Sequence, residues 1–312
     1  RGMNYSQAVD SFADRDWQET TDGTVRLALV GLGWWTISEA IPAIGDTDFC
    51  EVTVLVSRSQ QKAQRLADKA DVPHAISGAS YHNGECADDY DAVYVATPNA
   101  YHLEYVETAA ELGKAVLCEK PMEATIDRAE RIVECCADND ATLMIAYRMH
   151  TEPAVRRAKD LLDAGYIGDP VFVHSNMTEP ILELVPDPNQ WRLDWELSGG
   201  CATMDIGIYS LNTSRFLLDA DPVTVMGSVA SVHEAFDDVP DEHSAFQTEF
   251  PNDTFAVCTA SQNAHMASHI RVTGTGGELL VEPAFYPWDD RKLTVSRNGT
   301  TMDIEFEQVD QM

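Results

Sequence analysis

Positive charge is scarce in this chain. Its 312 residues include 21 Lys and Arg, only six of them Lys, against 52 Asp and Glu, and the formal net charge is -31. A surface of that sign repels phosphate, which argues against unaided binding to nucleic acid or to an anionic membrane. Long apolar runs are missing as well. The longest weakly polar stretch, Leu27 to Trp35, is half the roughly 20 residues that a membrane-spanning helix needs. No basic leader followed by an apolar segment opens the sequence, so a cytoplasmic protein outside the membrane is expected. Paired cysteines are absent too: the seven, at 50, 86, 118, 135, 136, 201 and 258, are odd in number and contain no Cys-x-x-Cys. Neither a disulfide framework nor a metal site is expected from that spacing, and the thiols read as small buried groups in a reducing compartment.

What is present is acid, spread along the chain rather than gathered into a tail. At ordinary ionic strength such a surface repels itself, whereas at molar salt the Debye length falls to about 3 Å and most of the penalty disappears. The charge balance therefore predicts a halophilic protein. With 44% hydrophobic and 23% charged residues and a mean hydropathy of -0.24, there is apolar matter for one large core or two ordinary ones. Disordered, collagenous and coiled-coil chains are excluded.

Residues 1–23 are polar, with isolated anchors at Val9, Phe12 and Trp17, and predict an N-terminal arm. From 24 to 148 the pattern is regular. Apolar runs at Val25 to Val30, Val52 to Val56, Ala92 to Ala96, Ala115 to Cys118 and Thr142 to Ala146 alternate with amphipathic segments at Ile37 to Ile44, Gln61 to Ala70, His102 to Leu112 and Ile126 to Ala137. Such alternation means right-handed crossovers and a parallel sheet covered on both faces, a doubly wound Rossmann domain for a dinucleotide. From 149 to 312 the grammar changes to helices at Pro153 to Ala164 and Cys201 to Leu218. Strands then follow at Val223 to Val232, Ala245 to Phe250, Phe255 to Ser261, His269 to Thr273, Glu278 to Val281 and Lys292 to Ser296. This predicts an α+β domain on a large, mainly antiparallel open sheet, serving substrate binding and oligomerisation. Helices on one face only would leave an apolar face to bury, so a homodimer or homotetramer through that sheet is expected. The native chain is expected to continue past Met312.

The run Leu27-Ala28-Leu29-Val30-Gly31-Leu32-Gly33-Trp34-Trp35-Thr36 sets two glycines of a dinucleotide fingerprint between a strand and a helix. Gly31 permits the tight turn, and Gly33 lets backbone approach a pyrophosphate seated on the helix N-terminus. Thr36 stands where the fingerprint has Gly or Ala, so a different helix start is expected. Trp34 and Trp35 are candidates to flank the nicotinamide, or one of them to pack in the core. An NAD enzyme usually ends its second strand with Asp or Glu for the ribose 2′-hydroxyl. Here the sequence reads Val56-Ser57-Arg58, with Lys62 one turn on. Hydroxyl, guanidinium and ammonium suit a 2′-phosphate, and in a chain so short of cations Ser57, Arg58 and Lys62 predict NADP.

The segment Ala96-Thr97-Pro98-Asn99-Ala100-Tyr101-His102, followed by Glu119-Lys120-Pro121, resembles the glucose-fructose oxidoreductase and inositol dehydrogenase family (Gfo/Idh/MocA). With Gln190-Trp191-Arg192 and Asp205-Ile206-Gly207-Ile208-Tyr209, the likeness spans residues 25–300. Tyr209 stands where inositol dehydrogenase-like members carry His. In that it is similar to the branch holding glucose-fructose oxidoreductase, dimeric dihydrodiol dehydrogenase and the D-xylose 1-dehydrogenases, and the acidic surface resembles the haloarchaeal members that use NADP. The resemblance implies oxidation of the C1 hydroxyl of an aldopyranose, D-xylose first, to the lactone with hydride transfer to NADP. Preference for a pentose rests on the resemblance alone. The likeness also implies Thr97, Asn99 and His102 along the cofactor and Glu119 at its nicotinamide end.

The residues themselves agree with that chemistry. Lys120 follows a buried strand and precedes a proline that fixes the turn, so its ammonium is expected at the carboxyl edge of the sheet. A sugar C1 that loses hydride needs a base for its hydroxyl proton. Tyr209, four residues after Asp205, is expected to share a helix face with it. Tyrosine, with a pKa of about 10, needs an adjacent cation to work near neutrality. Tyr209 thus reads as acid/base, Lys120 as its electrostatic partner and a substrate hydrogen-bonder, and Asp205 as the orienting group; Lys120 as the base itself stays open. Arg192 is a candidate for a cofactor phosphate or sugar hydroxyl, and Tyr147, His150 and Trp191 for substrate contact. Two other readings remain: another oxidoreductase of the same branch, of dihydrodiol dehydrogenase or sugar-sugar type, and a non-catalytic NADP sensor. The sensor has no need of Lys120, Asp205 and Tyr209 together.

Overall fold

The computed structural model describes residues 23–307, so the arm expected over 1–23 lies outside the described residues except for Gly23. Two compact units divide the chain: residues 23–146 with 196–199, and residues 147–195 with 200–307. Among the described residues no helix is long and apolar enough to cross a membrane.

The first unit is a six-stranded sheet of β1 (Val25–Val30), β2 (Cys50–Ser57), β3 (His74–Ser77), β4 (Ala92–Val95), β5 (Ala115–Cys118) and β6 (Leu143–Ile145). Its order is β3-β2-β1-β4-β5-β6 and every pair is parallel. Successive residues feed opposite cores. Ala28 and Val30 join Val54, Val56, Val93 and Val95 on one face, while Leu29 joins Leu55 and Tyr94 on the other. Both faces being covered, the central strands are apolar at nearly every position. The crossovers carry α1 (Ile41–Gly45), α2 (Gln60–Ala70), α3 (His102–Glu111) and α4 (Ile126–Asp138). All five expected strands are present. Strand β3 is a sixth, at the sheet edge with only Ile76 buried, too short and polar to stand out in the sequence. The strand order reverses between β1 and β4, where the loops after both strands lie side by side, the usual position of a ligand crevice in this architecture.

The second unit is an eight-stranded sheet of β7 (Pro170–Pro180), β8 (Thr224–Ala230), β9 (His243–Phe250), β10 (Thr254–Ser261), β11 (Asn263–Gly274), β12 (Gly277–Glu282), β13 (Arg291–Arg297) and β14 (Thr300–Phe306). The order is β14-β13-β12-β11-β7-β10-β9-β8. Only β7 and β10 pair in parallel. Helices α5 (Pro153–Asp163) and α6 (Ile208–Leu218) bury Val155, Ala158, Leu161 and Leu217 against Val173, Met177, Ala256, Cys258, Ile270 and Val272. Central strand β7 escaped the sequence reading because its inward set is Val173, Ser175, Met177 and Glu179, which breaks the apolar alternation. Ser175 is satisfied by Ser210 Oγ at 2.7 Å and the His269 carbonyl at 3.0 Å. Strand β14 is hidden likewise, with Met302 its one buried residue.

One expected helix is really two. In place of a continuous α-helix from Cys201 to Leu218, a wide π-helical turn over Ala202–Gly207 precedes α6. Asp241 holds its start. Its carboxylate accepts the backbone N–H of Cys201 at 2.7 Å and of Thr203 at 2.8 Å, and its carbonyl accepts that of Ala202 at 2.9 Å. Donors at the head of a helix that lack intrahelical partners are thereby satisfied by a side chain 40 residues away in sequence.

Candidate active site

In the first unit Gly31 has φ +90° and a Cβ there would lie 2.5 Å from the Ala96 carbonyl oxygen, so only glycine lets the β1 and β4 loops touch. At Gly33 an added Cβ meets nothing within 4 Å, leaving backbone accessible from outside. The helix that follows starts with a π turn over Thr36–Ala40 before α1. Thr36 donates its hydroxyl to the Gly31 carbonyl at 2.6 Å, tying the turn down from the position where Gly or Ala was anticipated. The buried hydroxyl of Thr97 has no hydrogen-bond partner among the described residues. A turn open at Gly33 with an unsatisfied hydroxyl close to the Gly31 contact fits a dinucleotide phosphate better than a solvated loop.

Arg58 and Lys62 flank the start of α2. Arg58 lies over the Tyr101 ring at 5.3 Å, and neither cation has a carboxylate within ion-pair distance among the described residues. Ser57 is turned inward on its own loop, accepting from the Ser59 N–H at 3.2 Å. Ser59 caps the helix, its hydroxyl accepting from the Lys62 N–H at 3.3 Å. The tryptophans differ. Trp34 is 61% exposed, whereas Trp35 packs against the core and donates its indole N–H to Tyr94.

That bond opens a chain leading to Lys120. Trp35 Nε1 donates to Tyr94 Oη at 2.9 Å, Tyr94 donates to Glu119 Oε1 at 2.6 Å, and Glu119 Oε2 accepts the Lys120 backbone N–H at 3.1 Å. Both carboxylate oxygens of Glu119 are thus used to fix the turn at Lys120-Pro121, whose peptide bond is cis. His102 and Asn99, expected along a cofactor, have partners within the protein. The His102 ring is fully buried, with Nε2 at 3.0 Å from the Thr97 carbonyl and Nδ1 at 3.1 Å from the Met122 carbonyl. Burial holds its pKa below the usual value despite those carbonyls and the nearby Glu123 and Glu119. The ring lies between the Thr97 loop and the segment after Lys120, with one nitrogen against a carbonyl of each. Asn99 is buried and donates to the Ser198 carbonyl at 2.8 Å, which fastens residues 196–199 to this unit.

In the second unit, Asp205 on the π turn accepts from Arg192 Nε at 2.7 Å and from Gln262 Nε2 at 2.9 Å, both at Oδ2. Arg192 also lies over the Trp191 ring at 4.7 Å. Burial opposes its charge, but Asp205 and then Glu179 outweigh that and raise its pKa. The guanidinium assigned to a phosphate or sugar is therefore engaged by Asp205. Tyr209, two residues into α6, has a different named partner: Arg148 Nε donates to its Oη at 3.1 Å, with the guanidinium 4.8 Å from the ring centroid. Asp205 and Tyr209 are separated by the change from π to α winding, which alters the face-sharing expected of a four-residue spacing in a regular helix. His150, expected to contact the sugar, is held within the unit. Its Nε2 lies 2.7 Å from Asn212 Oδ1, its ring stacks on Phe216 at 4.5 Å, and Tyr147 lies beyond at 6.0 Å.

Residues 25–147 match the description "Oxidoreductase family, NAD-binding Rossmann fold", and residues 155–280 match "GFO/IDH/MocA C-terminal domain". The chain belongs to the GFO/IDH/MocA family. This family member is 68% identical to the D-xylose 1-dehydrogenase (NADP(+)) of Haloarcula marismortui, over 99% of its own length and 87% of the relative's. It is 30% identical to D-xylose 1-dehydrogenase (NADP(+)) 2 of Haloferax volcanii, over 91% of its length and 83% of the relative's. Among solved structures it is similar to the aldose-aldose oxidoreductase of Caulobacter crescentus, with a TM-score of 0.85 and 28% identity over 92% of this chain and 86% of that one.

Four residues that hold the candidate site were not singled out from sequence: Tyr94, Arg148, Asp241 and Gln262. Tyr94 carried a signal, since a phenol inside the apolar run Ala92 to Val95 must find a partner when buried. The others lie far in sequence from the residues they hold, and nothing local marks them. Elsewhere in the first unit His74, Cys86 and Asp89 bring one ligand atom each within 4.8 Å of one another. His74 and Asp89 already pair at 3.6 Å, and burial, then Asp89 and Glu85, raises the Cys86 thiol pKa.

Proposed function

We propose that this chain oxidises the C1 hydroxyl of an aldopyranose, D-xylose before others, to the lactone with NADP as hydride acceptor. The observation that carries the reading is the 68% identity, over 99% of the chain, to the D-xylose 1-dehydrogenase of H. marismortui. Support comes from the glycine turn, the orphaned Thr97 hydroxyl and the unpaired Arg58 and Lys62. Bound at that turn, NADP supplies the hydride acceptor. Gly31 and Gly33 seat the pyrophosphate, Thr97 donates to the dinucleotide, and Arg58 with Lys62 holds the 2′-phosphate. Tyr209 takes the C1 hydroxyl proton at its phenolic oxygen. Asp205, held by Arg192 and Gln262, orients the sugar, and Lys120 hydrogen-bonds it and favours the anionic form of the reacting hydroxyl.

The same reading includes a cytoplasmic, halophilic homo-oligomer joined through the open face of the eight-stranded sheet. All seven cysteines are free, in keeping with a reducing compartment. On the sheet face away from α5 and α6, Phe172 and Val257 are exposed and Phe255 lies beside Phe172 at 6.3 Å. Edge strand β8 adds exposed Val225, Met226 and Val229.

The test is NADPH absorbance at molar KCl with a panel of aldoses. Turnover of D-xylose with release of the lactone and a clear preference for NADP over NAD is expected. Absence of turnover on every aldose, or a nucleotide that stays bound through dilution and serves only sugar-to-sugar transfer, would defeat the reading. Lys120→Met and Tyr209→Phe should each lower kcat by about 10² to 10⁴ with NADP affinity little altered.

A further inference from the structure

We propose that Arg148 is the positioning residue of Tyr209, and that the turn Arg148–His150 is fastened to α6 in order to aim it. The proposal rests on the reading of Tyr209 as the acid/base. Two rungs join the turn to the helix: Arg148 Nε to Tyr209 Oη at 3.1 Å, and His150 Nε2 to Asn212 Oδ1 at 2.7 Å. Residues two apart on the turn therefore meet residues three apart on the helix, one helical turn on the same face. The turn is closed by its own bonds, from His150 N–H to the Tyr147 carbonyl at 3.0 Å and from Thr151 Oγ to the Arg148 carbonyl at 2.8 Å. Burial, with Arg215 and Arg156 adding to it against the Asn212 hydrogen bond, lowers the His150 pKa. The imidazole of the second rung stacks on Phe216.

The direction of the Arg148 bond matters. Guanidinium nitrogens only donate, so Arg148 occupies a lone pair of the phenolic oxygen and turns the hydroxyl proton away from itself. A phenolate at that oxygen accepts the same bond more strongly, because the interaction becomes charge-assisted on both sides. Arg148 therefore favours the form of Tyr209 that takes a proton from the sugar, and it does so from within the same unit. Its guanidinium is fixed further by donating to the Phe285 carbonyl, and the Phe285 ring packs 5.9 Å from that of Tyr209. Charged groups near it include Arg291, which donates to the carbonyls on either side of Phe285 and pairs with buried Glu152 at 3.4 Å, and Asp205 on the π turn before Tyr209.

Arg148→Met keeps most of the stem and removes donor and charge. Aldose oxidation by this variant should fall about tenfold to hundredfold in kcat, the loss of one hydrogen bond to a charged group. The rising limb of its kcat/KM against pH should move up by about one unit or more, with KM for NADP unchanged. Arg148→Lys should restore part of both. Asn212→Ala, which frees His150, should move the pH limb the same way by less, and it serves if Arg148→Met does not fold. In a Tyr209→Phe background Arg148→Met should cost nothing further, since its effect runs through the hydroxyl. A folded Arg148→Met or Asn212→Ala enzyme with the parental kcat and pH profile overturns the proposal while Tyr209→Phe remains impaired. If Tyr209→Phe itself turns over at the parental rate, the acid/base reading has failed instead, and this proposal falls with it.

Discussion

Among the described residues Arg58 and Lys62 have no carboxylate partner, in a chain where 52 acidic residues face 21 basic ones. Most described guanidiniums elsewhere are used up: Arg26 by Asp91, Arg128 by Glu104 and Glu123, Arg192 by Asp205, Arg291 by Glu152. The proposed reading gives the two cations spared that fate beside the end of β2 to the 2′-phosphate, the only charge by which NADP differs from NAD. Arg58→Ala should raise KM for NADP by about tenfold to hundredfold, the cost of one charge-assisted contact, and leave KM for NAD where it was. Steady-state kinetics with both nucleotides decides; equal changes for the two would remove Arg58 from the phosphate. At this scale the sequence was readable where a residue type has one use, as with Gly31, whose positive φ no side chain tolerates easily. Where a residue type has many uses it is less readable: His102 and His150, each read as a ligand contact, lie one between two backbone carbonyls and one on an amide.

Helix and strand lengths were largely legible because apolar periodicity carries them, and winding was not. The π turn over Ala202–Gly207 is held at its start by Asp241, which supplies acceptors for its first N–H groups. That turn carries Asp205 and leads into Tyr209. Asp241→Ala should destabilise the protein by about 1.5–3 kcal/mol, the usual range for hydrogen bonds to a charged group. It should also lower kcat, since Asp205 would lose the backbone that aims it. Thermal unfolding and turnover measured together check this, and a variant as stable and as active as the parent would show that the turn holds itself. Strands β7 and β14 were missed for a related reason. Their buried sets include Ser175 and Glu179, or a single methionine, so alternation fails as a guide wherever a polar residue is satisfied by a distant partner.

Across the whole molecule a charge of -31 works against any compact or associated state at low ionic strength. Lowering salt from molar KCl to about 0.1 M lengthens the Debye length from about 3 to 10 Å and restores that repulsion. Unfolding temperature should fall over this range. Light scattering at molar KCl should give at least a dimer, which loosens as salt is withdrawn, through the sheet face bearing Phe172, Phe255 and Val257. A monomer at molar salt would discard the sheet as an interface, and a level unfolding temperature would discard the halophilic reading.

The doubly wound first half and the mainly antiparallel second half followed from sequence alone, because periods of 2 and 3.6 residues write themselves into apolar spacing. So did the glycine turn, the cationic end of β2 and the two family motifs, each of which is local in the chain. The tertiary structure decided which side chains hold those groups in place. Tyr94 behind Glu119, Asp241 beneath the π turn, Gln262 and Arg192 on Asp205, and Arg148 on Tyr209 bridge separations of 13 to 61 residues. Hydrogen bonds over such distances depend on how strands and helices pack, and no periodicity in the sequence records them.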